Sequence, residues 1–329
     1  MTGLLNRKLF FLTTFIILIL VSIHPVIAQS IGETGLTFVA FSKNTFYGMN
    51  LGTTNGELRF RIKEKNKNRV LFIDLYTKDE FSTIAAMNDH SVFITYQNHF
   101  NSTNPVYLSP ADFESKFGNL LFDNKRIPDP QNFSIDNNPL IIAYTNQLFA
   151  SEFGKAFIVE SLETSPIIFE KQQNWQILTS LPSAFTDVES GNGFFHPFQQ
   201  KNRVESEIRK YISDFSLLDG FRVLQAAHPL ESQTASVVFE PSKNQIYIVL
   251  DKEFEKIWMI NLDGATIETF SGFDKYHKGN IPEIGITSSD LQILNFSNES
   301  LMDGVILWGV IIAIIIFLVT GVNYRHITG

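Results

Sequence analysis

The sequence predicts an α+β layered domain, with helices packed on antiparallel sheet, set between two apolar chain ends. Three observations predict it. Short β-rich runs separated by polar turns fill most of the chain between residues 35 and 270. A single pair of helical segments interrupts them near residues 204–227. Each end of the chain carries a long run almost free of charge.

The N-terminal end has Arg7 and Lys8, then an apolar run to about residue 23, then Pro25-Val26-Ile27-Ala28. A basic start, a short apolar stretch and a small residue describe a secretory signal over residues 1–28, with cleavage before Gln29. The C-terminal end has no charge from residue 304 to 322. Nineteen residues at helical rise match the hydrocarbon thickness of a bilayer. Trp308 and Tyr324 sit near its two ends, as interfacial aromatics do, and Arg325 follows it. Residues 304–322 therefore read as a transmembrane helix with a cytoplasmic tail at 323–329. Residues 29–300 read as an extracytoplasmic domain on a single-pass anchor. Sequons at Asn101, Asn132, Asn295 and Asn298 fit an exported surface.

Within the domain, residues 36–41 form a first strand, Ser42-Lys43-Asn44 a turn, and residues 45–51 the return strand. Leu58, Phe60 and Ile62 alternate with charged residues, as in a half-buried strand. Residues 65–68 are a hairpin turn before a strand at 70–76. Residues 79–86 read as a short helix and 92–96 as a strand. From 98 to 139 Asn, Pro, Asp and Ser dominate, which is the composition of a lid-like insertion or a surface loop. Strands follow at 140–144, 156–160, 166–169 and 174–179, with a turn at 152–155 and a Gly- and Phe-rich loop at 190–197.

The helical pair comes next. Val204, Ile208, Tyr211, Ile212 and Phe215 keep helical spacing, and Ser216 with Asp219 resembles a capping box for the second helix. Strands return at 234–239, 245–250, 256–262 and 266–270, with turn chemistry at 241–244 and at Asp263-Gly264.

Composition narrows the chemistry. The formal charge of −8 argues against nucleic acid, which needs a basic footprint. The absence of cysteine excludes a thiol nucleophile, disulfides and thiolate metal sites. The seven His show no ligand spacing, so the sequence offers no metal and calls for no cofactor.

Several segments, in order, resemble the linear amide C–N hydrolases, the choloylglycine hydrolase, penicillin V acylase and acid ceramidase relatives of the N-terminal-nucleophile fold. Gly35-Leu36-Thr37-Phe38-Val39-Ala40, a turn, and Tyr47-Gly48-Met49-Asn50-Leu51-Gly52 resemble that family's opening Cys-Thr-x-Phe and Gly-Arg-Asn-x-Asp. Ala86-Met87-Asn88-Asp89-His90-Ser91-Val92 resembles its Gly-Met-Asn-Glu-x-Gly-Leu motif. The 152–160 hairpin, the Leu178-Thr179-Ser180 segment, Arg203 and the 234–248 hairpin continue the series. The resemblance implies a four-layer αββα sandwich. It also implies a nucleophile whose own α-amine is the base, an Asp and an Arg that hold it, and an Asn that donates to the oxyanion.

In this chain those slots are changed. Gly35 stands for the Cys, Met49 for the Arg, Gly52 for the Asp and Ser180 for the Asn, while Arg203 and Asn50 remain. The expectation is a hydrolase-like protein without the family's catalytic set. Its pocket, from Gly35, Thr37, Met49, Asn50, Asn88, Ser180 and Arg203, would take an acyl or lipid-like ligand or a protein partner. One alternative is an active amide hydrolase in which cleavage exposes Thr37 or Thr34 as nucleophile. The other is an unrelated β-rich adhesion or assembly ectodomain.

Overall fold

The computed structural model describes residues 34–52, 57–77, 79–99, 102, 105–130, 138–152, 154–161, 166–181, 195–227 and 233–296. The expected signal at 1–28, the span at 304–322, the tail at 323–329, and Asn101, Asn132 and Asn298 lie outside them. Among the described residues no helix is long and apolar enough to cross a membrane.

Two eight-stranded antiparallel sheets form the body. The first contains β1 (Thr34–Phe41), β2 (Thr45–Gly52), β10 (Trp175–Thr179), β11 (Gln233–Glu240), β12 (Gln245–Leu250), β13 (Ile257–Asn261), β14 (Thr266–Ser271) and β15 (Lys278–Asn280). Its order is β10-β1-β2-β11-β12-β13-β14-β15. The second contains β3 (Leu58–Lys65), β4 (Asn68–Thr77), β5 (Glu80–Asn88), β6 (Phe93–Asn98), β7 (Thr145–Ser151), β8 (Lys155–Ser161), β9 (Pro166–Glu170) and β16 (Ile286–Thr287). It runs β16-β3-β4-β5-β6-β7-β8-β9.

The period-two alternation of each strand decides the layering. Val39, Met49 and Leu51 of the first sheet share one core with Phe60, Ile73, Met87 and Leu148 of the second. On the other face of the first sheet, Phe38, Ala40 and Val238 pack with Val204, Ile208 and Leu224. Those come from α2 (Phe195–Tyr211) and α3 (Leu217–Ala226). On the outer face of the second sheet, Phe72, Ile94 and Phe149 pack with Phe113, Phe117 and Leu121. These belong to α1 (Pro110–Gly118) and the wide helical turn Asn119–Asp123 that continues it. The order of layers is thus helix, sheet, sheet, helix.

The α1 layer comes from the stretch expected to be lid-like or a surface loop. Ser109 caps the helix by accepting from Asp112 N, and Pro110 opens the first turn. Phe113 and Phe117, one helical turn apart, are fully buried, so this part of the stretch is core rather than lid.

Three secondary-structure expectations change. Residues 79–86 are not helix but lie mainly in β5. That strand is covered on both faces, so residues 82–88 are all buried and show no alternation to read. Residues 140–144 are loop, and the strand begins at Thr145. Gln147 holds that loop, accepting from Ile142 N at 2.7 Å and donating to Leu140 O at 2.8 Å. The expected loop at 190–197 already belongs to α2 from Phe195 onward. The capping box of α3 forms as expected from Ser216 and Asp219. A second box of the same kind, Thr287 with Asp290, opens α4 (Ser288–Phe296), which contains Asn295.

Beneath α1 the second sheet carries a buried ionic cluster. Asp74, with no exposed surface, accepts from Arg59 Nε at 2.9 Å, Arg61 Nη2 at 3.0 Å and Thr83 Oγ1 at 2.7 Å. Arg61 Nη1 also lies 3.8 Å from Glu114 of α1. At the far end of the sheets, Tyr47 stacks on Phe93 with centroids 4.9 Å apart and donates to Ser91 O at 2.9 Å. Nearby, Thr45 Oγ1 donates to Glu152 O at 3.1 Å. Both bonds join the first sheet to the second.

Candidate functional site

The slot singled out by the sequence lies at the opposite end. Thr34 pairs with Leu51 and Leu36 with Asn50, so Gly35 is the extra residue of a β-bulge. Gly35 is buried there and brings no side chain to the space between the sheets. Thr37 follows in a strand paired on both flanks, opposite Leu178 of β10 and Met49 of β2.

Thr37 is fully buried, and its hydroxyl accepts from Gln97 Nε2 of β6, 3.3 Å away. Gln97 is itself buried, and its Oε1 accepts from no described residue. A second link runs beside it. His99 Nε2 hydrogen-bonds Asn146 Oδ1 at 3.0 Å, and Asn146 Nδ2 donates to Thr179 O of β10 at 2.9 Å. Desolvation pushes the His99 pKa below its ordinary value, against its bonds to Asn146 and to the Thr145 backbone. Ser180, next in the chain, is buried at the same end. The Gly35 end is therefore a polar patch between two sheets, and the buried Glu160 of β8 lies opposite Asn146 in the register there. No carboxylate or amine is among the hydrogen-bond partners of Thr37 given by the described residues.

The other expected pocket residues point elsewhere. Met49 is fully buried in the inter-sheet core, so it packs and does not line an open cavity. Asn50 faces the helical layer, where its Nδ2 donates to Leu224 O at 2.9 Å and its Oδ1 accepts from Ser236 Oγ at 2.7 Å. Gly52 closes β2 opposite Gln233. Asn88 is occupied on the outer side of the second sheet. It donates to Leu121 O at 2.8 Å, and its Oδ1 accepts from Val92 N at 2.8 Å. Arg203 is exposed on α2, while the neighbouring Val204 is buried against the first sheet. Strand parity explains the split: successive residues face opposite sides, so Met49 and Asn50 cannot share one pocket.

The sequence reading missed Gln97 and Asn146. Both sit on the inter-sheet face of strands whose alternate residues are apolar, and a buried amide in such a row is the signal that could have found them.

No family model matches the sequence, and no curated protein does. Among solved structures, a mutant of the conjugated bile acid hydrolase from Clostridium perfringens is similar with 12% identity and a TM-score of 0.47, covering 75% of this chain and 97% of its own. The penicillin V acylase of Agrobacterium tumefaciens has 13% identity and a TM-score of 0.46, over 69% of this chain and 91% of its own. A Caenorhabditis elegans ortholog of N-acylethanolamine-hydrolyzing acid amidase has 9% identity and a TM-score of 0.42, over 63% and 92%.

Proposed function

We infer that this is a hydrolase-like binding protein of the linear amide C–N hydrolase kind, without catalysis. The observation that carries the reading is Thr37. It is a hydroxyl two residues from Gly35 on the inter-sheet side, yet it sits mid-ladder, buried, and hydrogen-bonded by an amide. A hydroxyl needs an adjacent base to become a nucleophile, and an amide N–H is a donor only. Freeing the Thr37 amine would also require cutting β1 between two paired residues. Both points support inactivity and count against Thr37 as an N-terminal nucleophile.

Binding is supported by the buried acceptor Gln97 Oε1, which suits a donor brought by an acyl amide or by a partner segment. The same proposal includes export through residues 1–28 and a membrane anchor at 304–322. The helical layers on both outer faces favour it over an all-β adhesion module.

The test is incubation of the purified chain with N-acyl amino acids and N-acyl ethanolamides. No product above that of Thr37→Val is expected. Turnover that Thr37→Val abolishes overturns the reading, as does a mature N-terminus at Thr37 or Thr34 found by sequencing.

A further inference from the structure

A separate cavity lies between α4 and the turn joining β12 to β13. Its volume is about 140 Å³, and Leu250, Asp251, Lys256, Trp258, Phe273 and Leu291 are among its walls. A cavity of roughly 150 Å³ holds a benzene-sized molecule, so this one suits a compact group and not a drug-sized ligand. The rings of Trp258 and Phe273 meet at 59°, with centroids 4.6 Å apart, and form an aromatic corner. Leu291 and Leu250 supply a buried apolar floor.

Charge makes the site selective. Lys256 is paired with Glu253 at 3.3 Å. Asp251 is held by the neutral amide of Gln292, and among the described residues no lysine or arginine forms an ion pair with it. An aromatic corner beside a carboxylate without a counter-ion attracts an alkylated ammonium by cation–π and Coulomb attraction together.

We propose that this cavity binds a small quaternary or alkylated ammonium group, with Trp258 and Phe273 as its aromatic walls and Asp251 as its counter-ion. The ammonium can come from a free choline-type solute or from a choline lipid headgroup. The site is independent of the Gly35 end.

Calorimetric titration of the full chain with choline and tetramethylammonium is the test. Both should bind, and 3,3-dimethylbutan-1-ol, the uncharged analogue of choline, should bind about tenfold more weakly. Asp251→Asn and, separately, Phe273→Leu should each weaken choline by a similar factor while leaving the melting temperature near that of the parent. Equal affinity for the neutral analogue, no binding of either ammonium, or unchanged affinity in both variants overturns the proposal. Flotation with phosphatidylcholine against phosphatidylglycerol vesicles separates the sources. Retention that Asp251→Asn removes assigns the lipid headgroup, and choline binding without such retention assigns the soluble ion.

Discussion

Gln97 of the second sheet donates its side-chain amide to the hydroxyl of Thr37 in the first, across 3.3 Å of the protein interior. The bond lies two residues along β1 from the Gly35 bulge. It makes the pair a structural contact whose loss is measurable.

Thr37→Val removes the acceptor and leaves the Gln97 amide buried without a partner. The expected cost is about 1–3 kcal/mol in urea unfolding. The double variant Thr37→Val/Gln97→Leu should recover most of that loss, because replacing both polar partners with apolar groups is nearly neutral. Additive losses in the double-mutant cycle would contradict the pairing.

Gly48 faces the ring of Phe38. A Cβ there would lie 2.2 Å from Phe38 Cε1, well inside contact distance. Gly48→Ala should destabilise the chain by about 1–3 kcal/mol through overpacking. Adding Phe38→Leu should relieve part of the strain, which thermal unfolding of the three variants would show.

Asp74 is the buried carboxylate on which Arg59 and Arg61 converge. Asp74→Asn keeps the shape but strands two guanidinium groups, and a loss of about 3–5 kcal/mol is expected. Hydrogen exchange should report it first in β3 and β4, which carry these residues.

His99 gives a pH dependence. Burial lowers its folded-state pKa, so the unfolded chain takes up the proton first as the pH falls. Its contribution is constant above the unfolded value near 6.5, and stability drops as the pH falls through that value. His99→Gln should flatten the unfolding midpoint between pH 7 and 5 relative to the parent. A parent whose midpoint rises on acidification in that window would contradict the sign.

The hairpins were legible where one strand face is wet or a turn is polar. Leu58, Phe60 and Ile62 alternate with Arg59, Arg61 and Lys63, and Asn244 adopts the left-handed turn conformation that its residue type favours, with φ of 51°. Layering hid the rest. The strand Glu80–Asn88 lies under α1 and over the first sheet, so both faces are buried and the period is lost. The helix Pro110–Gly118 was masked by the polar residues around it, although Ser109, Phe113 and Phe117 carry its cap and its apolar stripe. At the Gly35 end the sequence located the strand pair. Which of Met49, Asn50, Asn88 and Arg203 faces inward depends on strand parity and on layer order, and the second of these is a tertiary property.

The two sheets are joined at both ends. Thr37–Gln97 and Asn146–Thr179 tie one end, and Tyr47–Ser91 and Thr45–Glu152 tie the other. Two plates fastened at a single point can pivot about it, whereas plates fastened at opposite ends have no common axis left. Swinging the layers apart about one end would break both ties at the other, and sliding them would break all four. The register slip at the Gly35 bulge then interrupts one strand end without loosening the join between the layers.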